Sequence, residues 1–188
     1  MKKVLLFLFV FSTILMSCNK EEWGNNNSDM EHVYYYGLCN EAFPGGNEKI
    51  YTVSEGNIVE IPTQFFSVFE RSYSPEVYYY TSPIVNENDE FSSQLQLDVD
   101  YIVTDSKGNK LEANENGSYT MIWPNAKGGK QNIYIKSLSN KKGSIKVLTF
   151  DPNKIMNNMD VESTVIIRTG QYEVRAFTEN YFVTLKVN

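Results

Sequence analysis

The stretch Leu97-Asp98-Val99-Asp100-Tyr101-Ile102-Val103 has the pattern that decides the fold class. Apolar side chains occupy every second position, and two aspartates fall between them. Successive side chains of a β-strand point to opposite faces, so this alternation predicts a strand with one buried face and one solvated carboxylate face. We expect the strand to end at the turn-forming run Asp105-Ser106-Lys107-Gly108-Asn109.

Further strands are predicted on both sides of this stretch. Ile133 and Ile135 alternate with polar residues, and another apolar run covers residues 144–150. Near the C-terminus the apolar positions change parity, which requires a turn or a bulge at residues 178–180. No window has the pattern of a capped amphipathic helix, and residues 151–160 predict a long loop. Many short strands without a βαβ rhythm predict an all-β antiparallel sandwich.

The first residues have the pattern of a lipoprotein signal peptide, assigned to residues 1–17. Lys2 and Lys3 precede an uncharged apolar run that is shorter than the roughly 20 residues a membrane-spanning helix needs. The run leads into Leu15-Met16-Ser17-Cys18, which resembles a lipobox. We therefore expect cleavage before Cys18, lipidation of its thiol, and attachment to a membrane through the acyl chains.

Residues 18–31 are expected to form the lipidated cysteine and a flexible tether, because they are polar and rich in Asn. Residues 32–188 are expected to form a single β-sandwich domain. The run Lys20-Glu21-Glu22 resembles the acidic export tag of Bacteroidetes surface lipoproteins. That resemblance implies an outer-membrane protein that is lipid-anchored and exposed on the cell surface.

The charge distribution argues against nucleic acid and indicates one basic region. The formal net charge is −6, and loss of Lys2 and Lys3 with the signal peptide takes it to −8, whereas phosphate binding needs a positive field. Between Glu115 and Asp151 there are six lysines and no acidic residue. We expect this segment to form a hairpin whose outer face carries Lys130, Tyr134, Lys136 and Lys146, a candidate surface for an anionic polysaccharide. The alternative is a soluble hairpin whose lysines protect an edge strand.

A second candidate surface comes from the run Glu76-Val77-Tyr78-Tyr79-Tyr80. Alternation places Tyr78 and Tyr80 on one face and Val77 and Tyr79 on the other, more core-like face. Exposed aromatic rings suit sugar stacking, although tyrosines also cover sandwich surfaces without a ligand.

Residues for catalysis, metal binding or cofactor binding do not form a recognisable motif. The single histidine, His32, lies at the junction with the tether, and no zinc, phosphate-loop or EF-hand spacing occurs. We expect no enzyme activity, no metal and no cofactor, although the many carboxylates keep a glycosidase-type acid/base pair as a third alternative. Cys39 is the only thiol left if Cys18 is lipidated, and we expect it to be a small buried residue.

Four segments together resemble an uncharacterised family of immunoglobulin-like domains in Bacteroidetes surface lipoproteins. They are residues 74–81, 100–109, 131–136, and 172–177 with 180–184. The resemblance implies an immunoglobulin-like sandwich with Greek-key-type connections and an association with glycan-utilisation operons, but no functional residues. The leading hypothesis is a non-catalytic accessory lipoprotein that binds glycan or organises a glycan-uptake assembly with other outer-membrane proteins. The alternative is an adhesive or structural envelope protein, such as a pilus-like or protein-interaction module.

Overall fold

The computed structural model describes residues 31–39, 49–84 and 94–188, and every element below lies in these ranges. They contain eleven strands and two short 3₁₀ turns. No helix in these ranges is long and apolar enough to cross a bilayer. The strands are β1 Val33–Leu38, β2 Ile50–Val53, β3 Ile58–Phe66, β4 Glu76–Pro83, β5 Tyr101–Thr104, β6 Tyr119–Ile122, β7 Gly129–Ser137, β8 Gly143–Leu148, β9 Val165–Arg168, β10 Glu173–Ala176 and β11 Phe182–Val187.

The strands form two sheets that enclose one core, so the predicted all-β sandwich is confirmed. One sheet has the order β5-β7-β3-β1-β10-β9, and the other has the order β2-β11-β8-β4-β6. Most neighbouring strands are antiparallel. Two pairs are parallel, β1 with β10 and β11 with β2, so the sandwich is not purely antiparallel.

The strand order is that of an immunoglobulin-like domain. Strands β5-β7-β3-β1 occupy the positions of D-E-B-A, and β11-β8-β4 occupy those of G-F-C. β6 lies beside β4 where a variable-type domain has C′, but it follows β5 in the chain instead of preceding it. β9 and β10 arise from the connection between β8 and β11, and they extend the first sheet beyond β1.

The core forms because alternate side chains of each sheet face inward. In β3, Ile61 and Phe65 are fully buried, and in β7 the predicted inward residues Ile133 and Ile135 are buried as well. The Phe65 ring stacks on Trp123 at a centroid distance of 5.0 Å. Stacked aromatic pairs add about 0.5–1.5 kcal/mol beyond the apolar area that they bury. These contacts join the two sheets, and Cys39 forms no disulfide within the described residues.

The prediction of a continuous strand over residues 97–103 is wrong in its first half. Only Tyr101–Thr104 forms a strand, and residues 98–100 form a turn in which Asp98 has a φ of 67°. Val99 is exposed instead of facing the core. Asp100 is buried rather than solvated, because its carboxylate accepts hydrogen bonds from the Gln96 N–H, the Ser139 hydroxyl and the Lys141 ammonium group. Local hydrogen bonding therefore overrides the alternating pattern.

The lysine-rich segment is also not a hairpin. β7 pairs with β3 and β5, whereas β8 pairs with β11 and β4, so the chain crosses from one sheet to the other at residues 138–142. Both strands have an apolar face, and these two faces cover opposite sides of the same core. Alternation predicts which side chains point inward, but it does not select the neighbouring strand.

The connection from β8 to β11 is a long insertion, residues 149–181. Residues 151–160 form the predicted loop, and a 3₁₀ turn follows at Val161–Thr164. The hairpin of β9 and β10 then leads to a turn closed by the Asn180 N–H, which donates to the Phe177 carbonyl. This turn confirms the predicted break between the two C-terminal apolar parities.

Candidate functional site

A cleft opens where one edge of each sheet is unpaired. β3 pairs with β7 over almost the whole length of β7. β5 pairs with β7 on the other side, but only as far as Thr104, which lies opposite Tyr134. Residues 129–133 therefore have a strand neighbour on only one side among the described residues. In the same ranges β6 pairs only with β4. The Gln131 side chain links the two open edges by donating to the Ile122 carbonyl at 2.8 Å.

The backbone groups at this edge of β7 follow from the strand geometry. The Ser137 N–H donates to the carbonyl of Asn57, the residue before β3. Because backbone groups of successive strand residues point to opposite sides, every second residue of β7 counted back from Ser137 directs its N–H and C=O groups towards β3. The intervening residues, Lys130 and Asn132, consequently direct their N–H and C=O groups to the open edge. The same two residues project their side chains from the outer face of the sheet.

The cleft has a volume of about 770 Å³ and a mixed lining. Lys130, Asn132 and Tyr134 contribute from β7, and Asp105 and Ser106 contribute from the turn after β5. Apolar side chains from β6 and from the loop before it complete the wall. Such a mixture of a cation, amide and hydroxyl groups and aromatic rings suits a polar ligand with apolar faces. The apolar contributors are Leu111, Met121 and Ile122.

Two polar groups in the cleft stand out electrostatically. Thr104 lines the cleft and is 1% exposed, and its hydroxyl has no hydrogen-bond partner within the described ranges. A buried polar group without a partner is costly, so a ligand hydroxyl or a water that reaches Thr104 is stabilising. The side-chain amide and backbone N–H of Asn109 hold the pKa of Asp105 below its usual value, which keeps this carboxylate ionised.

The structure brings together only part of the predicted lysine surface. Lys130 and Tyr134 line the cleft, and Lys136 lies on the same outer face but outside the cleft, between Ile58 and Ile102 in the ladder. Lys146 does not join them, because β8 belongs to the other sheet. Its ammonium group lies over the Phe182 ring, 4.6 Å from the centroid.

Ion pairs and a neighbouring carboxylate lower the positive charge of the predicted lysine surface further. Lys127 pairs with Glu70 at 3.0 Å, and Lys141 pairs with the buried Asp100 at 3.2 Å. Asn132 donates to Glu60 at 2.7 Å, so a carboxylate from β3 stands beside the cleft-lining residues of β7. Of the predicted lysine surface, Lys130 and Lys136 therefore remain together on one face of β7.

The tyrosine surface is largely covered. Val77 and Tyr79 are buried in the core, as the alternation predicts, and Tyr78 and Tyr80 lie on the outer face. Tyr80 is nevertheless buried, and Tyr78 is half-buried. Burial raises the pKa of both phenols, with a further contribution from Glu76 at Tyr78 and from Asp151 at Tyr80. The two residues do not present an open pair of rings for sugar stacking.

The carboxylates singled out in the sequence do not form a pair. Asp98 contacts Lys110 at 3.1 Å, whereas Asp100 is buried in its own hydrogen-bond cluster. Within the described ranges no group of three or more His, Cys, Asp or Glu side chains is placed to hold a metal ion. The sequence contains a further acidic, Asn-rich run at residues 86–90, which lies outside the described residues. Cys39 is half-buried rather than buried, with its thiol 3.9 Å from the Gln64 side-chain carbonyl.

Sequence reasoning missed Thr104, Asp105 and Gln131 as cleft residues. The run 105–109 was correctly predicted as a turn, and Asp105 does cap it by accepting the N–H groups of Lys107 and Asn109. Its place beside β7 depends on the pairing of β5 with a strand about 30 residues away in the chain. Short-range patterns do not report such a pairing.

No family model matches the chain, and no curated protein matches it. Solved structures similar to it include the crystal structure of CBD12 from CALX1.2, with 12% identity and a TM-score of 0.38, over 82% of this chain and 44% of that one. Another is the crystal structure of the class 5 fimbriae chaperone CfaA, with 12% identity and a TM-score of 0.37, over 80% of this chain and 55% of that one. The chain thus spans about half the length of these structures.

Proposed function

We propose that this protein is a non-catalytic accessory lipoprotein, anchored at the cell surface through Cys18, that binds a polysaccharide in the cleft between β6 and β7. A role in organising a glycan-uptake assembly with other outer-membrane proteins is part of this proposal. The observation that carries it is the lining of the cleft. Lys130, Asn132 and Tyr134 project from one strand face beside the unpartnered Thr104 hydroxyl.

Each of these groups matches a part of a sugar chain. An aromatic ring such as that of Tyr134 packs on the apolar face of a pyranose, and amide and hydroxyl groups bond to sugar hydroxyls. Because the lining is mostly polar, we expect a wet interface in which bridging waters contribute alongside direct contacts.

The charged residues at the cleft indicate which charge density the preferred polysaccharide has. Among the residues that the structure describes, Lys130 is the one cation that lines the cleft, while Asp105 and the nearby Glu60 are acidic. A densely sulfated chain would meet these carboxylates, whereas a chain with isolated uronic-acid groups could place a single carboxylate on Lys130. We therefore favour an anionic polysaccharide of low charge density. A single exposed ion pair contributes only about 0–1 kcal/mol, so we expect micromolar to millimolar affinity.

An extended peptide is the second candidate, and it corresponds to the adhesive or structural alternative. The edge of β7 at residues 129–133 has no neighbouring strand among the described residues on the side away from β3, and such an edge can accept an added strand. Hydrogen exchange separates the two candidates. An added strand protects the amides of Lys130 and Asn132, whereas a glycan on the outer face does not protect them as a ladder does.

The decisive experiment titrates the protein with uronic-acid, sulfated and neutral polysaccharides. We expect the uronic-acid polymer to bind best, and we expect binding to weaken with salt as the Debye length falls from about 10 Å at 0.1 M to 3 Å at 1 M. Lys130→Glu and Tyr134→Ala should each lower the affinity about fivefold or more, which is about 1 kcal/mol.

Lys146→Glu is the matched control, because it makes the same charge change on the opposite sheet. It should leave binding unchanged, and Lys136→Glu, on the same face but outside the cleft, should have a small effect. Equal loss in Lys130→Glu and Lys146→Glu would mean that net charge, not the cleft, determines binding. Unchanged affinity in both Lys130→Glu and Tyr134→Ala would contradict the proposed site.

A further inference from the structure

The charged side chains at the cleft are unevenly distributed along β7. Lys130 stands near the start of the strand and pairs with Gln64 of β3, which is neutral. Lys127, three residues earlier in the chain, forms an ion pair with Glu70 at 3.0 Å, so these two side chains together add no net charge. The Lys130 end of the cleft therefore attracts an anionic group.

The Tyr134 end of the cleft has an acidic residue on each side of the strand. On one side Tyr134 pairs with Glu60 of β3. On the other side it pairs with Thr104 of β5, and Asp105 directly follows Thr104 and lines the cleft. Because paired Cα atoms of neighbouring strands lie only about 4.5–5.5 Å apart, Tyr134 stands between these two acidic residues.

Hydrogen bonds hold both carboxylates in position. The Asn132 side-chain amide donates to Glu60 at 2.7 Å, so the Glu60 carboxylate lies towards Asn132, on the side of Tyr134 that faces the cleft. Asp105 accepts from the backbone and side-chain N–H groups of Asn109 at 2.9 and 2.8 Å. The negative charge at this end is therefore held beside residues that line the cleft.

We infer that the cleft selects a heteropolysaccharide in which single uronic acids are separated by stretches of uncharged sugars, and that Glu60 and Asp105 determine this selection. The inference rests on the proposed glycan binding, to which it adds the spacing of the acidic sugars. Lys130 binds one sugar carboxylate, and Tyr134 packs on a neutral sugar ring. Four residues of a strand span about 13 Å, so Lys130 and Tyr134 contact different sugars of the chain.

Glu60 and Asp105 act on the ligand by repulsion. A uronic acid at the Tyr134 end brings its carboxylate close to two carboxylates of the protein, and like charges at short range are unfavourable. A neutral sugar at the same position avoids this repulsion and keeps the contact with the tyrosine ring. Discrimination between similar ligands commonly combines such a repulsive element with an attractive one. A chain with an acid on every sugar is therefore disfavoured, although it offers Lys130 more carboxylates.

The test uses galacturonic acid oligosaccharides of one length, whose carboxyl groups are all free, all methyl-esterified, or esterified except for one. Calorimetry at constant ionic strength measures their affinities for the full-length protein in detergent. We expect the oligosaccharide with a single free acid to bind more tightly than the neutral one, and about threefold or more tightly than the fully acidic one. Without the repulsion, the fully acidic chain would bind at least as tightly as the chain with one acid.

Two substitutions test the residues that determine the selection. Glu60→Gln keeps an acceptor for Asn132 and removes one charge, so it should reduce the preference for the chain with one acid. Adding Asp105→Asn should remove the preference. Asp151→Asn is the matched control, because Asp151 also accepts the N–H of a turn residue but follows β8 in the other sheet. It should leave the preference unchanged.

The outcomes separate this inference from glycan binding itself. A preference for the chain with one acid that disappears in the double variant and persists in Asp151→Asn supports the selection. Equal affinity of wild type for the two acidic oligosaccharides, tighter binding of the fully acidic one, or an unchanged preference in the double variant overturns the selection while glycan binding stands. If none of the oligosaccharides binds, the proposed function fails and the selection fails with it.

Discussion

Asp100 is the residue whose structural environment differs most from the one that its sequence context predicts. It stands in an alternating run, yet its carboxylate is buried beneath the loop that follows β7. The Gln96 N–H donates to it at 2.9 Å, Ser139 donates at 2.9 Å and Lys141 at 3.2 Å. The hydrogen bond from Gln96, supported by Ser139 and Lys141, holds the pKa of Asp100 below its usual value despite burial. The carboxylate therefore joins β5 to the connection that crosses between the sheets.

Replacement of Asp100 by Asn should destabilise the protein by about 1–3 kcal/mol at pH 7, because buried donors lose a charged acceptor. The lowered pKa means that the stabilisation by Asp100 is fully present above its unfolded pKa, near pH 4, and is lost as the pH falls through the folded pKa. The difference between wild type and Asp100→Asn should thus shrink below about pH 4. Denaturant unfolding at pH 7 and pH 3 measures it.

Asp98→Asn provides the control for this prediction. Asp98 is half-exposed and forms a direct, solvent-accessible ion pair with Lys110, so its loss should cost only about 0–1 kcal/mol at either pH. If Asp98→Asn were as destabilising as Asp100→Asn, the burial of the Asp100 carboxylate would not be the cause.

At the scale of a single element, β7 is the strand on which both the core and the cleft depend. Its inward residues Ile133 and Ile135 fill the core, and its outward residues line the cleft. The chain enters β7 through Gly128 and Gly129, directly against the segment that follows β3. A Cβ atom on Gly128 would lie 2.8 Å from the Ser67 carbonyl oxygen, whereas a Cβ on Gly129 would meet nothing within 4 Å.

Gly128→Ala should therefore destabilise the protein by about 1–3 kcal/mol, because the added methyl group forces two backbone segments apart. Gly129→Ala, one residue away with the same chemical change, should stay within about 0.5 kcal/mol of wild type. Thermal unfolding of both variants checks the pair. Similar melting temperatures for the two variants would show that the contact with Ser67 relaxes without cost.

At the scale of the whole molecule, the sandwich is held by its packing and by no cross-link among the described residues. Phe65, Trp123 and Tyr36 form an aromatic contact between the sheets, with Trp123 stacked on one ring and edge-on to the other. Burial raises the pKa of Tyr36, so the phenol stays neutral in the core. Immunoglobulin domains of antibodies place a tryptophan against an inter-sheet disulfide, whereas here Trp123 packs against the rings of Phe65 and Tyr36.

We accordingly expect the soluble protein from residue 19 onward to unfold at the same temperature with and without reductant, since Cys39 is then its only thiol. Its far-ultraviolet circular dichroism should be that of a strand-rich protein. A reductant-dependent shift that also depends on protein concentration would instead reveal disulfide-linked dimers through Cys39. Cys39→Ser separates that case, because it abolishes any such shift.

The sequence predicts which side chains of a strand face the core, but it does not predict which strand lies next to it in the sheet. Val77, Tyr79, Ile133 and Ile135 face the core as their alternation predicts, because the hydrophobic effect acts on each strand regardless of its neighbour. Lys146 faces outward as predicted too, but on the opposite sheet from Lys130. The alternation of side chains within a strand predicts which face of the strand is exposed to solvent. The neighbouring strand depends on contacts between residues far apart in the chain, which a short segment does not encode.

By itself, the sequence determined the all-β class, the turns at residues 105–109 and 178–180, and the inward residues of the main strands. These features follow from local sterics and from burial, which act within a few residues. Only the tertiary structure decided that β7 and β8 belong to different sheets, that Asp100 is buried, and that Thr104 and Asp105 stand beside Lys130 and Tyr134. The sheet assignment of β8 and the burial of Asp100 depend on contacts between residues far apart in the chain. The cleft exists because β5 is too short to cover the edge of β7.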